Sequence, residues 1–114
     1  MRRFFVAGSV AAIALVALAA AALGATRTIN VGDNYFVKSS GVPGVTVKRG
    51  TVVRWRWVGR RRHNVRVARG PVRFRSPTQR SGTYRKRIFT AGRYVIICSI
   101  HGGRDQKMVL RVTR

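Results

Sequence analysis

The chain has 114 residues, with 24 Lys+Arg against only two acids, Asp33 and Asp105, and a formal charge of +22. That length holds one compact domain, and its single thiol, Cys98, excludes both an internal disulfide and a multi-cysteine zinc site. Both acids would be needed for a general acid/base pair, and no Walker loop or G-x-G-x-x-G occurs, so a small, strongly basic module that binds or carries something is left.

Arg2 and Arg3 precede an almost purely apolar, Ala-rich run from Phe4 to Ala25. A basic start, a greasy stretch and small residues at its end describe a secretory signal peptide over residues 1–25, cut near Gly24. The 22-residue run is also long enough to act as an uncleaved membrane anchor. Ala and Gly dominate its second half, which favours cleavage. Either way the protein is expected to be exported, to a periplasmic, extracellular or cell-envelope location. The remaining domain, 26–114, keeps both acids and a net charge of about +20.

From Thr26 onward the chain reads as all-β. Short β-branched and aromatic runs fall at Arg27–Val31, Tyr35–Val37, Val45–Lys48, Thr51–Val58, Asn64–Ala68, Val72–Phe74, Tyr84–Phe89, Arg93–Cys98 and Lys107–Thr113. Turn signals separate them, among them Gly32-Asp33-Asn34, Arg49-Gly50, Arg69-Gly70-Pro71, Ala91-Gly92 and Gly102-Gly103. Strands at this spacing in so short a chain imply a two-sheet sandwich or small barrel. Alternation puts Val53, Trp55 and Trp57 on one face with Arg54 and Arg56 on the other, and directs Tyr94, Ile96, Cys98 and Met108, Leu110, Val112 inward.

The only Cys and both His lie at strand ends or on adjoining loops: His63 after the Trp-containing strand, then Cys98 and His101 near the C-terminus. With the inward-directed Met108 they form a soft ligand set of one thiolate, two imidazoles and a thioether. Two His and one Cys in a trigonal plane with a long axial Met is a mononuclear blue-copper arrangement, suited to moving single electrons. Taken singly, each residue has a plainer reading: a buried Cys as a small hydrophobe, a strand-end His as a hydrogen-bonded surface group, a Met beside Leu110 as core. A free thiol in an oxidising compartment invites oxidation, whereas a metal thiolate has a reason to persist.

On the segments His63-Asn64-Val65 and Gly92-x-Tyr94-x-x-x-Cys98-x-x-His101, and on the closing strand Met108–Thr113, the chain resembles the cupredoxins, specifically their plastocyanin-like branch. The resemblance implies a Greek-key β-sandwich of about seven to eight strands with one type 1 copper at one end. It implies His63, Cys98, His101 and Met108 as ligands, with electrons passing through the solvent-facing edge of His101. It also implies that Asn64 bonds across to the Cys segment. The six-residue gap between His101 and Met108 is longer than usual for that branch, and Gln106 stands nearer the expected place. A Gln oxygen can also serve axially, although Met108 is in phase with Leu110 and Val112 and is preferred.

Trp55 and Trp57 alternating with Arg54 and Arg56 superficially match a single-strand nucleic-acid groove, but inward-facing rings cannot stack bases, so no specific nucleic acid is expected. The many arginines, including the run Arg60–Arg62 beside His63, imply an anionic partner such as an acidic redox protein or another envelope component. The membrane enters only if the leader is retained, and mutual repulsion at this charge argues for a monomer. The reading is an electron carrier rather than an enzyme. A copper carrier using the same ligands and a metal-free basic sandwich binding anionic polymers are the alternatives.

Overall fold

The computed structural model describes residues 25–38 and 41–114. The expected leader, 1–25, therefore lies outside the described residues except for Ala25. Among the described residues eight strands form: β1 (Thr26–Gly32), β2 (Tyr35–Phe36), β3 (Gly44–Lys48), β4 (Val52–Trp57), β5 (Arg66–Arg69), β6 (Thr83–Arg87), β7 (Gly92–Ile97) and β8 (Lys107–Thr113). A short helix, α1 (Gly102–Asp105), joins β7 to β8.

The strands make two four-stranded sheets, ordered β2-β1-β4-β6 and β3-β8-β7-β5. β1 runs parallel to β4, and β3 parallel to β8, while the remaining pairs are antiparallel. The all-β sandwich expected from the strand spacing is the fold. Its core lies between the inner faces, where period-two alternation places Ile29, Val31, Val53, Trp55, Tyr94, Ile96, Cys98, Met108 and Leu110. Trp55 packs against Phe74 and Tyr84 with ring centroids 5.9 Å apart in each case. It is fully buried, and Trp55→Ala removes about 3–5 kcal/mol of stability.

Two local expectations fail for backbone reasons. Val72–Phe74 is not a strand: β5 shifts register between Val67 and Arg69, and the following segment meets it at one isolated bridge, Arg66 to Arg75. The Arg73 guanidinium there donates to the carbonyl of Ala68 at 2.9 Å, a side-chain bond in place of a ladder bond. The loop expected between His101 and Lys107 contains α1, whose four residues, Gly-Gly-Arg-Asp, are too few to show any apolar period.

Candidate metal centre

His63 follows β4 after a five-residue turn, and its surroundings fix it from several sides. Its backbone N–H and carbonyl pair with the carbonyl and N–H of Gln79, each at 3.0 Å. The Trp57 indole N–H donates to the same carbonyl at 3.2 Å. The ring is fully buried, and its Nε2 lies 2.8 Å from Oδ1 of Asp33. Asp33 is acceptor-only when ionised, so Nε2 carries the proton and Nδ1 is left with a free lone pair.

Asp33 sits in the two-residue turn between β1 and β2, where Asn34 adopts a positive φ of 74° that asparagine tolerates well. Its carboxylate also accepts the backbone N–H groups of Arg61 at 3.0 Å and Arg60 at 3.1 Å. The His63 hydrogen bond, and then those two amides, hold its pKa well below the usual carboxylate range. Gly59 makes this approach possible: a Cβ there would overlap the Asp33 carboxylate. Arg60, Arg61 and Arg62 themselves are exposed, placing three positive charges on the rim beside His63.

Cys98 follows β7 and points inward, fully buried, as the alternation with Tyr94 and Ile96 requires. Its Sγ lies 3.4 Å from Nδ1 of His101 and 4.0 Å from Nδ1 of His63. The two imidazoles tilt 34° apart with centroids 4.8 Å from each other. Asn64 ties the two ligand segments together: its Oδ1 accepts the N–H of Ser99 at 2.8 Å, and its Nδ2 donates to Ser99 Oγ at 2.7 Å. That is the cross-link the family resemblance implied for this residue.

Among the described residues, His63, Cys98 and His101 are the one group of three His, Cys or acidic side chains whose donor atoms converge, all within 4.8 Å of one another. Metal–nitrogen and metal–sulfur bonds of about 2.0–2.3 Å place donors roughly 3.5–4 Å apart around a trigonal centre, and the two sulfur–nitrogen distances, 3.4 and 4.0 Å, match that spacing. One thiolate with two neutral imidazoles is the donor set that selects copper for electron transfer. Met108 stands outside this trio. The β7–β8 register sets it opposite Ile96, fully buried in the core, while Cys98 is level with Gln106, whose carbonyl accepts the Cys98 N–H at 3.2 Å. Gln106 is also fully buried; its Nε2 donates to the carbonyls of Gly32 at 3.0 Å and Tyr35 at 2.9 Å, and its Oε1 has no partner.

Two of these residues carry weight that the sequence reading did not assign. Asp33 was recognised only as a rare acid in a turn, and Gln106 only as a possible axial donor in a Gly-rich loop. An acid retained in a chain with just two was the available signal for the first. Nothing local signals that Gln106 reaches across the sandwich to residues more than 70 positions away.

No protein-family model matches the chain, and no curated protein matches it. Solved structures do. A copper-containing nitrite reductase from Thermus scotoductus SA-01 is 26% identical with a TM-score of 0.61, over 81% of this chain and 23% of that one. This chain thus spans less than a quarter of that protein. A Cu(I) variant of amicyanin is 21% identical with a TM-score of 0.63, covering 76% of this chain and 81% of that one. A reduced amicyanin variant, 20% identical with a TM-score of 0.63, covers 78% and 82%. The chain has the cupredoxin fold, and its converging His63, Cys98 and His101 match the donor set of a single type 1 copper site.

Proposed function

We propose that the protein is an exported type 1 copper protein that carries single electrons between redox partners, and is not itself an enzyme. The observation that carries this reading is the convergence of one buried thiol and two imidazole Nδ1 atoms at metal-bridging distances. Copper held by these three donors supplies a one-electron couple. The chain's own residues do the rest. Asp33 holds the His63 ring in the tautomer that frees Nδ1, Asn64 keeps the two ligand segments in register, and the buried core around Cys98 keeps water from the sulfur. Ligands fixed in this way limit rearrangement when the charge changes. Half-exposed His101 offers the short route for an electron to the surface.

As the fourth residue that would hold the copper we infer Gln106 in preference to Met108, which strand phase favours. Met108 is one inward-facing step further along β8 from the level of Cys98, roughly 6.5–7 Å along the strand. Gln106 is level with Cys98, has its amide held by two backbone carbonyls, and keeps an unpartnered buried oxygen. The exposed arginines, Arg60–Arg62 foremost, suit an acidic redox partner. Export rests on the character of residues 1–25.

Titration of the protein with Cu(II) tests the reading. One equivalent is expected to produce an intense visible absorption from sulfur-to-copper charge transfer, which Cys98→Ser abolishes. Protein that is loaded, washed and stays colourless rules the proposal out. Electron exchange with an acidic redox protein that outpaces copper exchange supports carriage of electrons; the reverse order supports carriage of copper.

A further inference from the structure

The segments bearing His63 and Cys98 also wall a cleft of about 410 Å³, whose polar lining is Asn64, Arg66, Arg75, Ser76, Thr78 and Ser99. Arg66 and Arg75 are bridge partners on neighbouring segments, and both are exposed. Like charges directly opposite one another destabilise a strand pair, and neither guanidinium has a hydrogen-bond or ion-pair partner among the described residues. Neither acid of the chain neutralises them: Asp33 is committed to His63 and its neighbouring amides, and Asp105 lines a different cleft, with Asn34 and Tyr35.

The uncharged side chains of the cleft have a matching polarity. Asn64 Nδ2 donates to Ser99 Oγ at 2.7 Å and to Thr78 Oγ1 at 3.1 Å, so each hydroxyl accepts from within the protein. Each therefore keeps its own proton to donate, and neither donates it to a protein group among the described residues. The Ser76 hydroxyl is already used in both directions, accepting from the Val65 N–H and donating to the Pro77 carbonyl. What the cleft has to offer is two guanidiniums and two hydroxyl protons, all donors and mostly charged. A ligand complementary to that set is an anion that only accepts.

We propose that this cleft binds an oxyanion, a phosphate or a carboxylate, held by Arg66 and Arg75 and oriented by the hydroxyls of Thr78 and Ser99. Planar guanidiniums suit the paired oxygens of such groups. Ser99 follows Cys98 and Asn64 follows His63, so an occupant rests on the same Asn64–Ser99 tie that holds the ligand segments together. Binding itself needs no metal. It is expected to survive in the Cys98→Ser protein, which separates a failure here from a failure of the copper reading.

The test is calorimetric titration with inorganic phosphate at constant ionic strength set by sodium chloride. One saturable site is expected. Arg66→Gln and Arg75→Gln each weaken it about tenfold or more, whereas Arg85→Gln, an equal loss of charge on β6 of the other sheet, changes it less than about twofold. Thr78→Val and Ser99→Ala alter no charge and weaken it roughly three- to tenfold. Acetate as a second probe distinguishes the sources: competition with phosphate points to the carboxylate of an acidic partner, and no competition to a phosphate group. Absence of a saturable site overturns the proposal. So does an Arg85→Gln effect equal to that of Arg66→Gln, or hydroxyl variants that bind like the parent, because each reduces the cleft to general attraction by net charge.

Discussion

The two histidines of the site are held in opposite ways. His63 is fully buried, its backbone is paired on both sides with Gln79, and its ring is fixed by Asp33. His101 is half-exposed, stands at the start of a four-residue helix with no side-chain capping bond, and has Cys98 as its ring's hydrogen-bonding neighbour. Its neighbour Ile100 is 54% exposed. One half of the site is thus set by the scaffold before a metal arrives, and the other is completed from a surface loop. That asymmetry suits a centre that must be rigid towards the core and reachable from outside.

The comparison breaks most sharply under deletion of each ring. His63→Gly and His101→Gly are both expected to lose the visible absorption of the copper-loaded protein. Excess imidazole is expected to restore it in His101→Gly, where the vacated place opens to solvent, and not in His63→Gly, where it lies beneath Asp33 and Trp57. Equal rescue of the two, read by absorption, would show that burial does not distinguish them. Next in size is Asp33→Asn, which removes the carboxylate orienting His63 and is expected to weaken copper affinity roughly 10–100-fold in a competition titration with a chelator. Gly59→Ala is expected to act in the same direction by displacing Asp33, and an unchanged affinity there would mean the turn can absorb a methyl group.

A smaller effect is expected from Asn64→Ala. It removes the bonds between the His63 and Cys98 segments but touches neither ring, so copper binding should persist while stability falls by about 1–3 kcal/mol in denaturant unfolding. A loss of the visible band instead would mean that the scaffold around His63 and Cys98 cannot hold the two segments in register without that tie.

What could be read from the sequence divides along the same line. Period-two alternation places Val53, Trp55, Trp57, Tyr94, Ile96 and Leu110 correctly, because a sandwich buries one face of each strand and the pattern is local. The trio His63, Cys98 and His101 was legible because so few side chains of that chemistry exist in the chain. The supports of His63 were not. Asp33 and His63 are 30 residues apart and meet only because β1 lies beside β4, a parallel pairing that no short-range pattern encodes. The preference for Met108 rested on its phase with Leu110 and Val112 and on Gln106 lying in a Gly-rich loop, and neither says how far along a strand a side chain lies from the end that carries the site.

The smallest effect belongs to that residue. Met108 is fully buried opposite Ile96 and belongs to the same core cluster as Leu110 and Ile96. Met108→Leu nearly conserves volume and is expected to cost less than about 1.5 kcal/mol in denaturant unfolding. With the thioether one step below Cys98, the visible band and the reduction potential of the loaded protein should not move. In Gln106→Leu, by contrast, loss of the buried oxygen should raise the potential, since an axial oxygen donor stabilises the oxidised metal. If the potential rises in Met108→Leu and stays fixed in Gln106→Leu, the thioether is the axial ligand after all. The loop from His101 to Lys107 would then have to draw β8 towards the metal by one residue pair, which shifts Leu110 and Val112 as well and would be visible as a changed β7–β8 register.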